Sequence, residues 1–313
     1  MRFERIIRFL ISKLISLVIR VIMLLPERSY KSGMITKLKF WRNRINPDIF
    51  DDIAFLSYVK KKKTALEKHV ATIETLVIRG SNADYGFYSP IWENSFNLGL
   101  TSTDLYSNYH LYKNYRTSFK KLKNVLYFIT VSSPGYSLIH TVERNRAIAY
   151  KFFFSIPYSN LNLINHKYEK WIYKKCEKVR LMEVEENYRG YDKKFLYGVH
   201  FNVEDRVRTH LRENNREPDQ LGWLNALIDL IKEDGLKLFI IIPPFRSDYK
   251  VLLPDSSVLF RKFFSLKDIH ILNYYDSDLF TDDDLGDTDH LNEQGAIKLT
   301  KEIHKYFEAN NLL

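Results

Sequence analysis

The sequence predicts an α/β fold: a three-layer α/β/α sandwich with a central parallel sheet, preceded by an N-terminal amphipathic helix. Three observations carry that expectation. Short apolar runs at 75–79, 95–100, 124–131, 237–242 and 269–274 alternate with longer helical stretches, the pattern of strands covered on both faces. Several runs stop at turn chemistry: Gly80-Ser81, Ser132-Ser133-Pro134-Gly135 and Pro243-Pro244. The 313 residues are 45% hydrophobic and 27% charged, which argues against a disordered or fibrous chain.

The leader comes first. The formal net charge is +10, yet residues 1–44 hold eleven Lys and Arg against only Glu4 and Glu27. Residues 45–313 carry 37 basic and 36 acidic groups. A general nucleic-acid binder spreads its charge over the folded body, and this body is neutral, so no nucleic-acid partner is expected. Within 3–25, Ile, Leu and Val dominate, and Pro26 ends the run. At about 100° per residue, Arg2, Arg5, Arg8, Ser12, Lys13, Ser16 and Arg20 share one arc. Phe3, Ile7, Leu10, Leu14, Leu17, Val18, Val21 and Leu25 lie opposite. A spanning helix needs roughly 20 apolar residues, and Lys13 and Arg20 interrupt this one. A cleavable signal peptide needs a cleaner apolar centre and a small-residue cleavage site. The expectation is a helix lying on an anionic membrane surface through residues 1–25, in a cytoplasmic protein peripheral to the inner face. The alternative is a helix packed on its own domain or on a dimer partner.

The body, 45–313, follows as one α/β domain. Residues 45–74 read as a polar helix whose lysine run, 60–63, is expected to be a solvated face. Residues 101–121 read as a helix opened by a Ser/Thr/Asp cluster suited to capping. The stretch 136–218 is aromatic, basic and less regular, and reads as an insertion. Helices are expected at 219–234, stopped by Gly235, at 256–266, and at 292–310 after an acidic loop spanning 276–289. The single Cys176 excludes an intramolecular disulfide framework and a cysteine-rich zinc site. Neither G-x-G-x-x-G nor G-x-x-x-x-G-K-[ST] occurs, which argues against a standard dinucleotide or P-loop site.

In parallel sheets, sites form at the carboxyl ends of strands. Three fragments sit there. Ser81 follows the first strand on a sharp turn, where its hydroxyl can enter a cleft and backbone N–H groups can meet an oxyanion. Gly99, in Asn97-Leu98-Gly99, lets backbone approach a ligand closely. Asp287 and His290 lie three apart before the closing helix, so the carboxylate can hold Nδ1–H and leave Nε2 to take the Ser81 proton. Asn82 and Arg246, at strand ends, are expected to meet substrate, an anionic one in the case of Arg246, whose alternative is a salt bridge to Asp248 or the acidic loop. Trp92, Trp171 and Trp223 are core residues or sugar-stacking surfaces. The seven aspartates of 276–289 offer a second reading, a hard-cation loop, but the Asp-x-[DN]-x-[DN]-Gly pattern is missing and no metal is expected.

These blocks resemble the SGNH/GDSL hydrolase family, including its polysaccharide O-acyltransferase and acylesterase branches. Gly80-Ser81 is similar to the family's first block, with Ser81 as nucleophile. Gly99 matches its second block, a glycine donating N–H to the oxyanion together with Ser81. Asp287-x-x-His290-Leu291-Asn292-x-x-Gly295-Ala296 resembles its last block. Gly80 replaces the usual Asp, and Ser133 stands nearest the third block's Asn, as a weaker oxyanion donor. The resemblance covers about 75–313 and implies a flavodoxin-like SGNH fold with a Ser-His-Asp triad. It implies ester hydrolysis or O-acyl transfer, slightly favouring O-acetyl transfer, on a bacterial surface polysaccharide such as capsule or O-antigen. No tightly bound cofactor is implied; a transferase would take acetyl-CoA or another acyl donor. A catalytically silent SGNH-fold assembly protein of a membrane-associated glycan complex is the alternative.

Overall fold

A computed structural model of the chain describes residues 2–23, 34, 38, 53–141, 143–158, 166–184, 189–191, 202–267 and 269–313. The described elements run α1 (Arg2–Met23), α2 (Ile53–His69), β1 (Thr75–Arg79), α3 (Ser81–Gly86), β2 (Ser95–Gly99), α4 (Leu105–Tyr115), β3 (Asn124–Phe128), α5 (Arg146–Phe154), α6 (His166–Arg180), α7 (Val203–Asn214), α8 (Leu221–Glu233), β4 (Lys237–Ile242), β5 (His270–Asn273) and α9 (Glu293–Ala309). The five strands form one all-parallel sheet in the order β2-β1-β3-β4-β5. The apolar runs become strands because every residue of β1, β2 and β3 is buried, which a parallel sheet between helices demands.

Side chains alternate between two cores, as the period of two requires. Leu76 and Ile78 point into the larger core with Leu56 of α2, Leu111 of α4 and Leu227 of α8. Val77 points the other way, into a smaller core with Leu126, Phe239, and Leu299, Ile303 and Phe307 of α9. Helices therefore cover both faces, as an α/β/α sandwich requires. Tyr150, Phe154, Ile172, Cys176 and Val207 of α5, α6 and α7 join the larger core, so the described helices of 136–218 share the packing of the sheet.

Caps fix the helix starts. Asp104 accepts from Ser107 N at 2.9 Å, so α4 begins after the 101–104 turn rather than within it. Asn292 accepts from Gly295 N at 2.9 Å and opens α9. Gly235, at φ +69°, ends α8. The expected helix at 256–266 forms as two single turns, Ser256–Leu259 and Arg261–Phe264, broken at Phe260.

The leader is helical over Arg2–Met23, with Ser12 and Ile19 buried and Leu10, Leu14, Leu17, Val18 and Val21 exposed. Among the described residues no helix is long and apolar enough to cross a membrane. The leader's later basic residues, Arg28, Lys31, Lys37, Lys39, Arg42 and Arg44, lie outside the described residues.

Candidate active site

The turn after β1 places Ser81 as the first residue of α3, and the loop before α9 brings His290 against it. Ser81 Oγ lies 2.7 Å from His290 Nε2. On the other side of the ring, His290 Nδ1 lies 2.9 Å from Asp287 Oδ2 and 3.0 Å from Oδ1. An ionised carboxylate only accepts, so Asp287 selects the tautomer protonated at Nδ1. Nε2 is then the acceptor and the Ser81 hydroxyl donates to it. Asp287 is itself held by the N–H groups of Asp289 and His290, at 3.0 and 2.8 Å to Oδ1.

The electrostatics support that division of roles. Burial opposes charge on both partners, but mutual attraction wins. Asp287 is held below the ordinary carboxylate range by the neighbouring imidazole and its hydrogen bond. Burial lowers the affinity of His290 for a proton, and Asp287 and then Asp289 more than restore it, so its pKa lies above the ordinary value. Behind it, Arg206 grips Asp289 with Nε at 3.0 Å and Nη2 at 2.9 Å. Burial pushes His210 down to about 3, helped by Arg206, so the residue stays neutral beside Tyr249, 2.5 Å away.

Long-range contacts fix α3. The Asn97 amide donates to Ala83 O at 2.8 Å, Asp84 O at 3.1 Å and Phe87 O at 2.8 Å. Beneath them Lys62 and Asp84 form an ion pair at 2.6 Å, both almost fully buried. The Asp84 carboxylate also accepts from Tyr58 Oη at 2.6 Å. Lys62 thus departs from the solvated face expected of the run 60–63, because its ammonium turns inward to a carboxylate.

The structure brings Ser81, His290 and Asp287 together and distributes the other expected site residues differently. Gly99 N–H donates to Asn97 Oδ1 at 2.9 Å and is not free for an oxyanion. A Cβ on Gly99 would stand 2.3 Å from Asp84 N, so the glycine serves the close crossing of β2 and α3. Ser133 is fully buried, and its hydroxyl accepts from Thr130 N at 2.7 Å and Arg79 Nη2 at 3.1 Å. Its neighbour Ser132 lines the cavity beside Ser81 instead. Asn82 lines that cavity but donates its amide to Asp289 O, pinning α3 to the histidine loop. Arg246 is absorbed by Asp248, with hydrogen bonds of 2.7 and 2.6 Å. Trp92 packs in the smaller core, while Trp171 and Trp223 are part-exposed and do not line the cavity.

That cavity, of about 140 Å³, opens between β1, α7 and the loops after β2 and β3. Arg79, Ser102 and Arg206 in its wall were not singled out from the sequence. Ser102 holds φ +66°, a conformation that favours glycine. Its N–H has no hydrogen-bond partner among the described residues. Ser81, as the first residue of α3, likewise has no intrahelical partner for its N–H. Ser81 and Ser102 both line the cavity, so their N–H groups are candidate oxyanion donors. The signal for Arg79 was available: it is the one charge in the apolar run TLVIR.

Asp287, Asp289 and His290 also form the one described cluster whose ligand atoms, within 4.8 Å of one another, fit a metal ion. Arg206 already supplies a cation to Asp289, and His290 Nδ1 is turned to Asp287, so the set is committed to internal partners.

Comparison with known protein families finds none that matches this chain, and comparison with curated proteins finds no match.

Proposed function

We propose that the chain is a serine-dependent ester enzyme of SGNH/GDSL type, acting by O-acyl transfer or hydrolysis. The observation that carries this is the continuous relay from the Ser81 hydroxyl through His290 to the half-buried Asp287 carboxylate. Ser81 Oγ attacks an acyl carbonyl while His290 Nε2 takes its proton. The Ser81 and Ser102 N–H groups stabilise the oxyanion. Collapse of the tetrahedral intermediate expels the alcohol of an ester, or the thiol of a CoA thioester, which receives the proton from His290. The acyl group then passes from Ser81 to water, or to a sugar hydroxyl whose proton His290 accepts. A bacterial surface polysaccharide is the proposed substrate, with acetyl-CoA or another acyl donor in the transfer case.

The exposed apolar face of α1, with exposed Lys13 and Arg20 beside it, supports a place on an anionic membrane surface at the inner face. A second reading is a silent assembly protein of the same fold, favoured by the loss of Gly99 and Ser133 as oxyanion donors. Fluorophosphonate labelling separates the two. An activated Ser81 is labelled, and Ser81→Ala loses both the label and at least about 10³-fold of the rate on an acetyl ester. Equal turnover by Ser81→Ala defeats the mechanism, and an unlabelled wild type supports the silent reading.

A further inference from the structure

The cavity beside Ser81 holds one charge that the ester mechanism leaves unused. Its other ionised lining residues pair off within the chain. Arg206 meets Asp289 at 2.9 Å. Glu213 meets Arg216 at 2.9 Å and Arg212 at 3.1 Å. Glu143 meets Arg146 at 2.9 Å. Arg79 is different. It is 4% exposed, and its hydrogen-bond partners are neutral: the Thr103 carbonyl at 3.4 Å and the Ser133 hydroxyl at 3.1 Å. The buried carboxylate of Asp104 is committed elsewhere, accepting from the N–H and hydroxyl of Ser107 and from Leu138 N.

Two costs attach to this residue. A buried guanidinium without a counter-charge is unfavourable. Its backbone adds strain, since Arg79 holds φ +136°, where L side chains are rare. An apolar residue at the fifth position of the strand Thr75–Arg79 would avoid the first cost altogether. An anion entering the cavity removes it. The planar guanidinium fork suits a carboxylate, and a single cation flanked by Glu143 and Glu213 suits one negative charge better than two.

We propose that Arg79 is the anion-binding residue of this site, and that the substrate carries a carboxylate next to the reacting ester. The carboxylate belongs either to the alcohol side, as in an acetylated uronic acid, or to the acyl side, as in a dicarboxylic half-ester. The placement beside the ester rests on the proposed function; the anion binding rests on Arg79 itself.

The test is calorimetric titration of the full chain carrying Ser81→Ala, which binds without turnover. Two matched pairs are compared: acetylated glucuronic acid with its amide, and monomethyl succinate with methyl succinamate. One acid is expected to bind about tenfold or more tightly than its amide, and the pair that shows this names the side. Adding Arg79→Gln should bring the ratio to one, while Arg79→Lys keeps part of it. If Arg79→Gln fails to fold, the acid-to-amide ratio in the Arg79 protein still decides. A ratio near one for both pairs, no binding of any probe, or a preference that survives Arg79→Gln overturns the proposal. Fluorophosphonate labelling of the wild type reads Ser81 separately, so a carboxylate preference in an unlabelled protein keeps this inference and defeats the ester reading.

Discussion

At the scale of the residue, the proposed mechanism makes His290 the group that decides when the relay works. The imidazole must be neutral at Nε2 to accept the Ser81 proton. Asp287 and Asp289 both favour its protonated form. Activity therefore rises with pH through a midpoint above about 6.5, the ordinary histidine value. A pH profile of kcat/KM on an acetyl ester checks this, and a midpoint at or below that value contradicts it. Asp287→Asn removes the charge and the selective acceptor at once. It is expected to cut kcat by about 10³- to 10⁴-fold and to move the remaining limb to lower pH, because the imidazolium loses its largest support. An unshifted limb would mean that Asp287 orients His290 without influencing its charge.

At the scale of the element, the crossing of α3 over β2 sets where Ser81 points. The contact is close because Gly99 has no Cβ, and Asn97 stitches the two elements with three donated bonds and one accepted. Gly99→Ala must push Asp84 away, and with it the helix that starts at Ser81. The expected outcome is a stability loss of about 1–3 kcal/mol in urea unfolding and a larger fractional loss of kcat. Asn97→Ala leaves buried carbonyls and one N–H unsatisfied, each worth about 1–3 kcal/mol. It should therefore destabilise the chain more than Gly99→Ala. The reverse order would show that close approach outweighs the amide clamp.

The same crossing shows what the sequence could and could not convey. Strand positions are local properties of β-branched, apolar runs, and the caps at Asp104 and Asn292 are equally local, so these elements were legible. Ser81, Asp287 and His290 were legible because each stands at an element end in a recognisable block. Gly99 was ambiguous for a physical reason: a glycine at a strand end admits a ligand or a neighbouring backbone equally well, and only the distance to Asp84 N decides. Lys62 sat inside a lysine run, and nothing local told it from its half-buried neighbours. Its partner, Asp84, is brought to it by the fold.

At the scale of the whole molecule, the charge is divided by position. The body has 37 basic and 36 acidic groups after residue 44, so the net +10 resides almost entirely in the leader. In α1, Leu10, Leu14, Leu17 and Val21 are 53–61% exposed, while Lys13 and Arg20 are exposed alongside them. Such a face costs free energy in water and regains it in the acyl boundary of a bilayer, and each basic residue near an anionic surface adds about 1 kcal/mol. Two terms of different character then act together, and liposomes separate them. The full chain is expected to bind phosphatidylglycerol vesicles strongly at low salt and more weakly as salt screens the basic residues. Lys13→Glu with Arg20→Glu should weaken that binding, while Leu14→Glu with Leu17→Glu should weaken it at every salt concentration. Deleting residues 1–25 should abolish it and leave fluorophosphonate labelling of Ser81 intact, since the relay lies wholly within 81–290. Vesicle binding that survives the deletion would move the membrane contact to the body, whose near-neutral charge supplies no electrostatic reason for it.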